Sequence, residues 1–296
     1  MYFGPQNYLI HIVCETLAFF VGVQYYYHLK NKNVDIINSK NRLWILIGAM
    51  FGALIGSRVI ALFEIPEALK YQTLSTIYQN KTVAGGFIGG LFGVEFIKKI
   101  IGEKKSSGDI YVLPIIVALF IGRIGCFCMG VGEQTYGIET DFFTGMNLGD
   151  GKMRHPIALY EMLYLLLLYI LFKKIQYKDM VNGDRFKLFM VLYFVYRFCA
   201  EFIKPYHSLF LHLSVHHWCA LFIFGYYYKF ILKFNKNLDI EWGKSLAIKY
   251  SGSCYTHINC DIENKLLISG TFIETVDFDI NSGIYNLTSI YNKNTQ

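Results

Sequence analysis

The sequence predicts an all-α integral membrane protein with seven transmembrane helices, its N-terminus outside, and a small β-rich cytosolic C-terminal tail. Three observations carry that prediction. Of 296 residues, 54% are apolar and only 17% charged, whereas soluble domains run near a quarter charged. The apolar residues gather into seven runs, at 7–28, 43–63, 82–97, 109–129, 156–172, 187–203 and 213–232. Runs of ~17–22 residues match the bilayer core, and hydrocarbon admits only backbone that satisfies its own hydrogen bonds. Finally, Lys and Arg alternate between loops. Lys30, Lys32, Lys40 and Arg42 follow the first run, Lys98, Lys99, Lys104 and Lys105 the third, and Lys173, Lys174, Lys178, Arg185 and Lys187 the fifth. The intervening loops hold only Lys70, Lys81, Lys152, Arg154 and Lys204. Thirteen against five puts the N-terminus outside and the C-terminus inside.

The first run lacks a basic start and an A-x-A-like cleavage site, so it reads as a retained helix rather than a signal peptide. The second carries Gly48, Gly52 and Gly56 at four-residue spacing, and the short third carries Gly85, Gly86, Gly89, Gly90 and Gly93, a composition that lets helices approach closely. Gly85 and Gly86 lie at the outer end, where bare backbone can meet a ligand. The fourth run closes on Gly122-Arg-Ile-Gly-Cys-Phe127, and Arg154-His-Pro-Ile-Ala-Leu-Tyr-Glu161 opens the fifth. The sixth sets Tyr193, Arg197 and Glu201 on one helical face at i, i+4 and i+8. After Lys233 and Lys236 the character changes. Residues 1–236 form a +9 membrane domain, and 237–296 form a −3 polar tail with strand-like pieces at Lys265-Leu-Leu-Ile-Ser and Thr271-Phe-Ile-Glu-Thr-Val, broken at Gly270 and Gly283.

This composition excludes a disordered chain, a collagen-like repeat and a disulfide-rich secreted module. The net charge of +6 forms no patch, so no nucleic-acid partner is expected. His216 and His217 are adjacent and diverge by about 100° on a helix, so no metal site is expected there. Cys254 and Cys260 are expected to stay reduced in the cytosol, and no cofactor is implied.

Ionisable groups inside spans are costly and mark a functional or partnered position. At a rise of about 1.5 Å per residue, Glu15 lies about 12 Å and Glu161 about 9 Å below the outer ends of their spans. Arg58, Arg123, Arg197 and Glu201 lie late in outward-running spans, so all six fall toward the outer half. Glu95 alone sits near the inner surface. Three Arg and three Glu at one depth fit either a set of salt bridges that fixes packing or a site for a phosphate-bearing lipid headgroup. Arg58 and Glu201 also fit simple snorkelling to the interface.

Taken in order, these stretches closely resemble the prolipoprotein diacylglyceryl transferase family over residues 1–235. Gly122, Arg123, Gly125, Phe127 and Gly130 correspond to its G-R-x-G-N-F-x-N-G-E-like stretch. His155, Pro156, Leu159, Tyr160 and Glu161 correspond to its H-P-x-x-L-Y-E stretch, and Tyr193, Arg197 and Glu201 to its late triplet. The resemblance implies a seven-helix bacterial inner-membrane enzyme that moves a diacylglyceryl group from phosphatidylglycerol to a lipoprotein-precursor cysteine thiol. Arg123 and Arg197 would then bind the phosphate and lower the barrier, with Glu161 orienting an Arg. The lipid and peptide site would extend to Glu201, Tyr193, Glu15, Arg58, Gly85, Gly86, Cys126 and Tyr160.

The chain departs from the family at several of these positions. Cys126 replaces an Asn, and Glu133 matches the acidic residue only with a two-residue shift. Ala84-Gly85-Gly86 stands where the family has H-G-G, Glu15 where it has Tyr, and His216-His217 where it has Gly-Gln. A thiolate nucleophile needs a base. The candidates are His155, Glu15, Glu161, and then His216 or His217, with His155 favoured by an imidazole suited to neutral pH and otherwise read as a cap at the outer interface before Pro156. Cys126 and Cys128 read as soft core residues, a redox pair or an acceptor thiol. Rival functions are a non-catalytic phospholipid-binding or scaffolding relative and a small-molecule carrier. Carriers usually place their site near the midplane, which the outer charges disfavour.

Overall fold

The computed structural model describes residues 4, 7–32, 37–64, 80–175 and 180–232, with the backbone of 255–260, 266–271, 275–277 and 286–288. Among these residues the α-helices are α1 Tyr8–Lys32, α2 Ser39–Leu62, α3 Val83–Ile101, α4 Val112–Met129, α5 Ile157–Lys174, α6 Asp184–Glu201 and α7 Val215–Tyr226. The loop before α5 carries a two-residue antiparallel pair, β1 Met146–Asn147 with β2 Met153–Arg154. Lys70, Lys178, Lys233, Lys236, Cys254 and Gly283 lie outside the described residues.

Local chemistry sets the helix ends. Thr82 caps α3 by accepting the Gly85 amide at 3.1 Å, and Ser214 and His217 form a reciprocal capping box on α7. Helix α3 was expected to stop near residue 97 but runs on to Ile101. Lys98 stays within it by pairing with Glu95 at 3.2 Å, and the helix stops at Gly102, whose φ of +71° suits glycine. At the same end of the bundle, Asp109 accepts the amides of Gly183 and Phe186 at 2.6 and 2.9 Å, and so tethers the start of α6 to the segment preceding α4.

Tyr8–Asn31, Ser39–Leu62 and Asp109–Gly132 are long and apolar enough to cross a membrane. Phe19, Phe51, Phe96 and Leu167 point outward and are exposed, as expected of helices that face lipid rather than water. The interior is built by α3 to α7 around Ile116, Leu165, Phe189, Phe194 and Ile223. Helices α2 and α3 meet along a glycine seam. A Cβ on Gly48, Gly52 or Gly56 would come under 3.0 Å from the Gly93, Gly89 or Gly85 carbonyl of the other helix. The four-residue repeat seen in the sequence therefore lies along a line of backbone contact.

The chain divides into two compact units, Met1–Ile231 and Leu232–Gln296. In the second, β3 Tyr255–Cys260 pairs antiparallel with β4 Leu266–Thr271, and β5 Thr275–Asp277 pairs with β6 Asn286–Thr288. Gly270 was expected to break a strand. It lies inside β4 opposite Thr256, because strand pairing tolerates a glycine that local propensity disfavours.

Candidate active site

Glu161, one turn into α5, is 1% exposed and is held by three side chains from two other helices. Arg123 of α4 donates through Nε to Oε1 at 2.9 Å. Arg197 of α6 donates through Nη1 to Oε2 at 3.3 Å, and the Tyr193 hydroxyl donates to Oε1 at 2.8 Å. Tyr193 and Arg197 reach the same carboxylate because they lie one turn apart on α6. One carboxylate between two guanidiniums leaves a local excess of one positive charge in a buried setting. Among the described residues Arg197 Nε has no hydrogen-bond partner, which leaves a buried N–H without an acceptor.

Helix α1 meets this cluster through α4. Arg123 Nη1 lies 3.6 Å from Cys126 Sγ, and the same sulfur lies 3.7 Å from His11 Nε2. His11 in turn faces Glu15 Oε1 at 3.8 Å, and both Glu15 oxygens accept from Lys81 Nζ at 2.6 and 2.7 Å. The six in-span charges therefore do not pair only among themselves. Glu15 turns to Lys81 because it lies toward the helix face that meets the segment before α3, and Arg58 donates to Ser57 Oγ at 2.7 Å.

Glu201 ends α6 and faces the loop beyond it. It accepts from Ser214 Oγ at 2.9 Å and from Lys204 at 3.4 Å. The neighbouring His216 meets Glu64 Oε1 at 3.1 Å, while His217 turns to Ser214, so the two histidines diverge as their adjacency requires. Burial, and then the like charge of Arg197, pull the Lys204 ammonium below the ordinary lysine range. Burial alone would raise the Glu64 carboxyl, but the His216 hydrogen bond and nearby charges outweigh it and hold it below the ordinary carboxylate range.

Two cavities adjoin these groups. One of about 840 Å³ has apolar walls that include Phe87, Leu91, Ile115 and Leu119; Glu15, Gly86, Arg123 and Cys126 line one end, and Lys98 and Lys187 the other. The second, about 370 Å³, is polar and lined by Glu64, Tyr136, Glu201, Lys204, Ser214 and His216 among others. Of the paired glycines only Gly86 lines the apolar cavity. Gly85 packs on Gly56, Ile60 and Thr82. The His155 ring meets Tyr160 at 3.1 Å and lies beside Phe142, and Tyr160 also bonds Thr144. His155 lies in the loop just before α5 and Tyr160 in the first turn of that helix. Among the described residues no group of three or more His, Cys, Asp and Glu side chains could hold a metal ion.

The family model described as prolipoprotein diacylglyceryl transferase matches residues 7–232, the part of the chain that builds this cluster. The chain belongs to that family. Relatives named phosphatidylglycerol--prolipoprotein diacylglyceryl transferase include one from Nitratidesulfovibrio vulgaris, 31% identical over 173 residues, covering 54% of this chain and 62% of the relative. One from Campylobacter hominis is 28% identical over 176 residues, covering 55% and 61%, and one from Ehrlichia ruminantium is 27% identical over 210 residues, covering 66% and 80%. The chain thus spans about 62% of the length of the Nitratidesulfovibrio relative.

Arg123, Glu161, Tyr193 and Arg197, which the motif resemblance singles out, are the four groups that converge on one point. Sequence reasoning missed His11, Lys81, Glu64 and Lys204. His11 lies one turn from the helix start and reads as interfacial, and only its i, i+4 spacing to Glu15 gave a signal. Lys81 and Lys204 entered the loop count without a partner.

Proposed function

We propose that this protein is a multi-pass transferase of the bacterial inner membrane that moves a diacylglyceryl group from phosphatidylglycerol to the cysteine thiol of a lipoprotein precursor. The proposal takes all seven helices as spans with the N-terminus outside, so that Glu15, Arg123 and Arg197 face the outer half. It takes residues 1–236 as the transferase domain and 237–296 as a β-rich cytosolic tail. The observation that carries the reading is the Arg123–Glu161–Arg197 cluster, whose Arg123 lines one end of an apolar cavity large enough for acyl chains. Acyl chains would lie against Phe87 and Leu119, with the phosphate at Arg123 where it lines the cavity and Arg197 joined to that guanidinium through Glu161.

Transfer forms a C–S bond at the glyceryl carbon and breaks the C–O bond to phosphate. The electron pair leaves on oxygen, and glycerol phosphate departs with one more negative charge than the diester carried. Arg123 and Arg197 hold this developing charge more strongly than the ground state, which lowers the barrier. Glu161 and Tyr193 fix the guanidiniums in place. Gly86 completes the lipid site, Glu201 belongs to the neighbouring polar cavity and Arg58 turns to Ser57 instead, and His155 with Tyr160 frames the mouth through which the acceptor peptide reaches it.

The test is to incubate the purified full chain with phosphatidylglycerol and a lipobox peptide. Thioether-linked peptide and released glycerol phosphate are expected. Retained lipid binding with no release would overturn the enzyme reading in favour of a phospholipid-binding relative, which Ala84 at the family's histidine position favours.

A further inference from the structure

Ala84, where the resemblance implies a histidine, is buried against the core and offers no proton acceptor, yet a thiol attacks as its thiolate. The site must therefore recruit a proton acceptor from elsewhere. His11 is 6% exposed, and its Nε2 points at a sulfur atom. Cys126 Sγ lies 3.7 Å from that nitrogen and 3.6 Å from Arg123 Nη1, so an imidazole and a guanidinium converge on a point where sulfur fits. Cys126 and Glu15, the two groups that Nε2 faces, both line the apolar cavity next to Arg123.

The backbone is shaped for this approach. A Cβ on Gly125 of α4 would stand 3.1 Å from His11 Cα and 3.2 Å from its Cδ2, so the second glycine of G-R-x-G is what admits the imidazole. Among the described residues, the titratable groups facing His11 come from α1, α4 and the segment before α3. Glu15 follows on α1, itself tied to Lys81 before α3, and Arg123 and Cys126 come from α4. Cys14 lies beside the same glycine, with Cys128 close to it. The Glu15 side chain is 38% exposed and that of Lys81 45%, so the pair lies at the surface of the bundle.

We infer that His11 is the general base of the transfer, an inference that rests on the transferase reading above. The acceptor thiol enters past Glu15 and gives its proton to His11 Nε2. The sulfur pair forms the C–S bond, and the C–O bond to phosphate breaks with its pair on oxygen. Glu15 steadies the imidazolium, and the proton leaves through the exposed Glu15–Lys81 end to solvent, which resets the base.

The experiment measures thioether formation against pH for the full chain in phosphatidylglycerol nanodiscs, with lipid binding and unfolding midpoint read on the same samples. His11→Gln keeps a polar side chain of similar size but accepts no proton. Its rate is expected to fall about 100-fold or more and to lose the acid limb of the pH profile, with lipid binding retained. His11→Gly is expected to regain rate with added imidazole. If His11→Gln does not fold, Glu15→Gln decides, because removing the carboxylate that steadies the imidazolium lowers the rate while lipid binding is retained. A wild-type rate and acid limb in His11→Gln, no imidazole rescue, an undiminished rate in Glu15→Gln, or a limb abolished by His155→Ala instead would each overturn the inference. Wild-type protein that forms no thioether removes the transferase reading and this inference with it, a result distinct from an active wild type with a silent His11 effect.

Discussion

Helices α2 and α3 meet through bare backbone, whereas α4, α5 and α6 meet through one carboxylate between two guanidiniums. The glycine seam has no polar side chain to satisfy and gains from close van der Waals contact along its length. The charged cluster gains little net stability from its ion pairs, because removing the charges from water offsets most of their attraction. A bundle held by packing alone could be built entirely in the first way. The second region costs desolvation and carries groups that chemistry can use, so the difference separates what holds the fold from what the proposed transfer would draw on.

The largest effect should come from Glu161→Ala, which leaves Arg123 and Arg197 buried together without their counterion. A loss of about 3–5 kcal/mol is expected, read as a lower unfolding midpoint in detergent. An unchanged midpoint would show that water already reaches the cluster. Gly89→Leu drives a side chain into the Gly52 backbone and should cost about 1–3 kcal/mol. Protein that still folds should retain transfer, since the seam carries no chemistry. Arg197→Lys should do the reverse. It keeps the charge but loses the fork, so transfer is expected to fall about 10- to 100-fold with a nearly unchanged midpoint.

The smallest effect is a pH dependence. Glu64 is held below its ordinary value in the fold, so its contribution to stability is present above about pH 4.3 and is lost as pH falls through the lowered value. The midpoint of wild type should therefore decline more steeply on acidification than that of Glu64→Gln. Parallel curves would mean that the His216 contact adds nothing.

Much of this contrast was legible in the sequence. Glycines at a four-residue period announce close helix approach whatever their partner, and Arg123, Glu161 and Arg197 stand out because charge inside a span is rare. Their convergence also follows from the order of the motifs. The sequence could not say that Glu15 binds Lys81, or that Glu201 faces Lys204 rather than an arginine. Those choices depend on helix rotation, which apolar residues on every side leave unspecified. His11 stayed hidden for a related reason. Only the missing side chain of Gly125, on another helix, brings it to Cys126. The extension of α3 to Ile101 escaped notice because two lysines normally end an apolar run, yet Lys98 pairs with Glu95 inside the helix.

Transfer as proposed requires that Arg123, at the end of the apolar cavity, and Arg197, joined to it through Glu161, receive a phosphate. Its most direct test compares binding of phosphatidylglycerol and of phosphate-free diacylglycerol to wild-type and Arg197→Gln protein. Loss of a charged hydrogen bond predicts about 10-fold or more weaker binding of phosphatidylglycerol and unchanged binding of diacylglycerol. Equal losses for both lipids, or none for either, would contradict it.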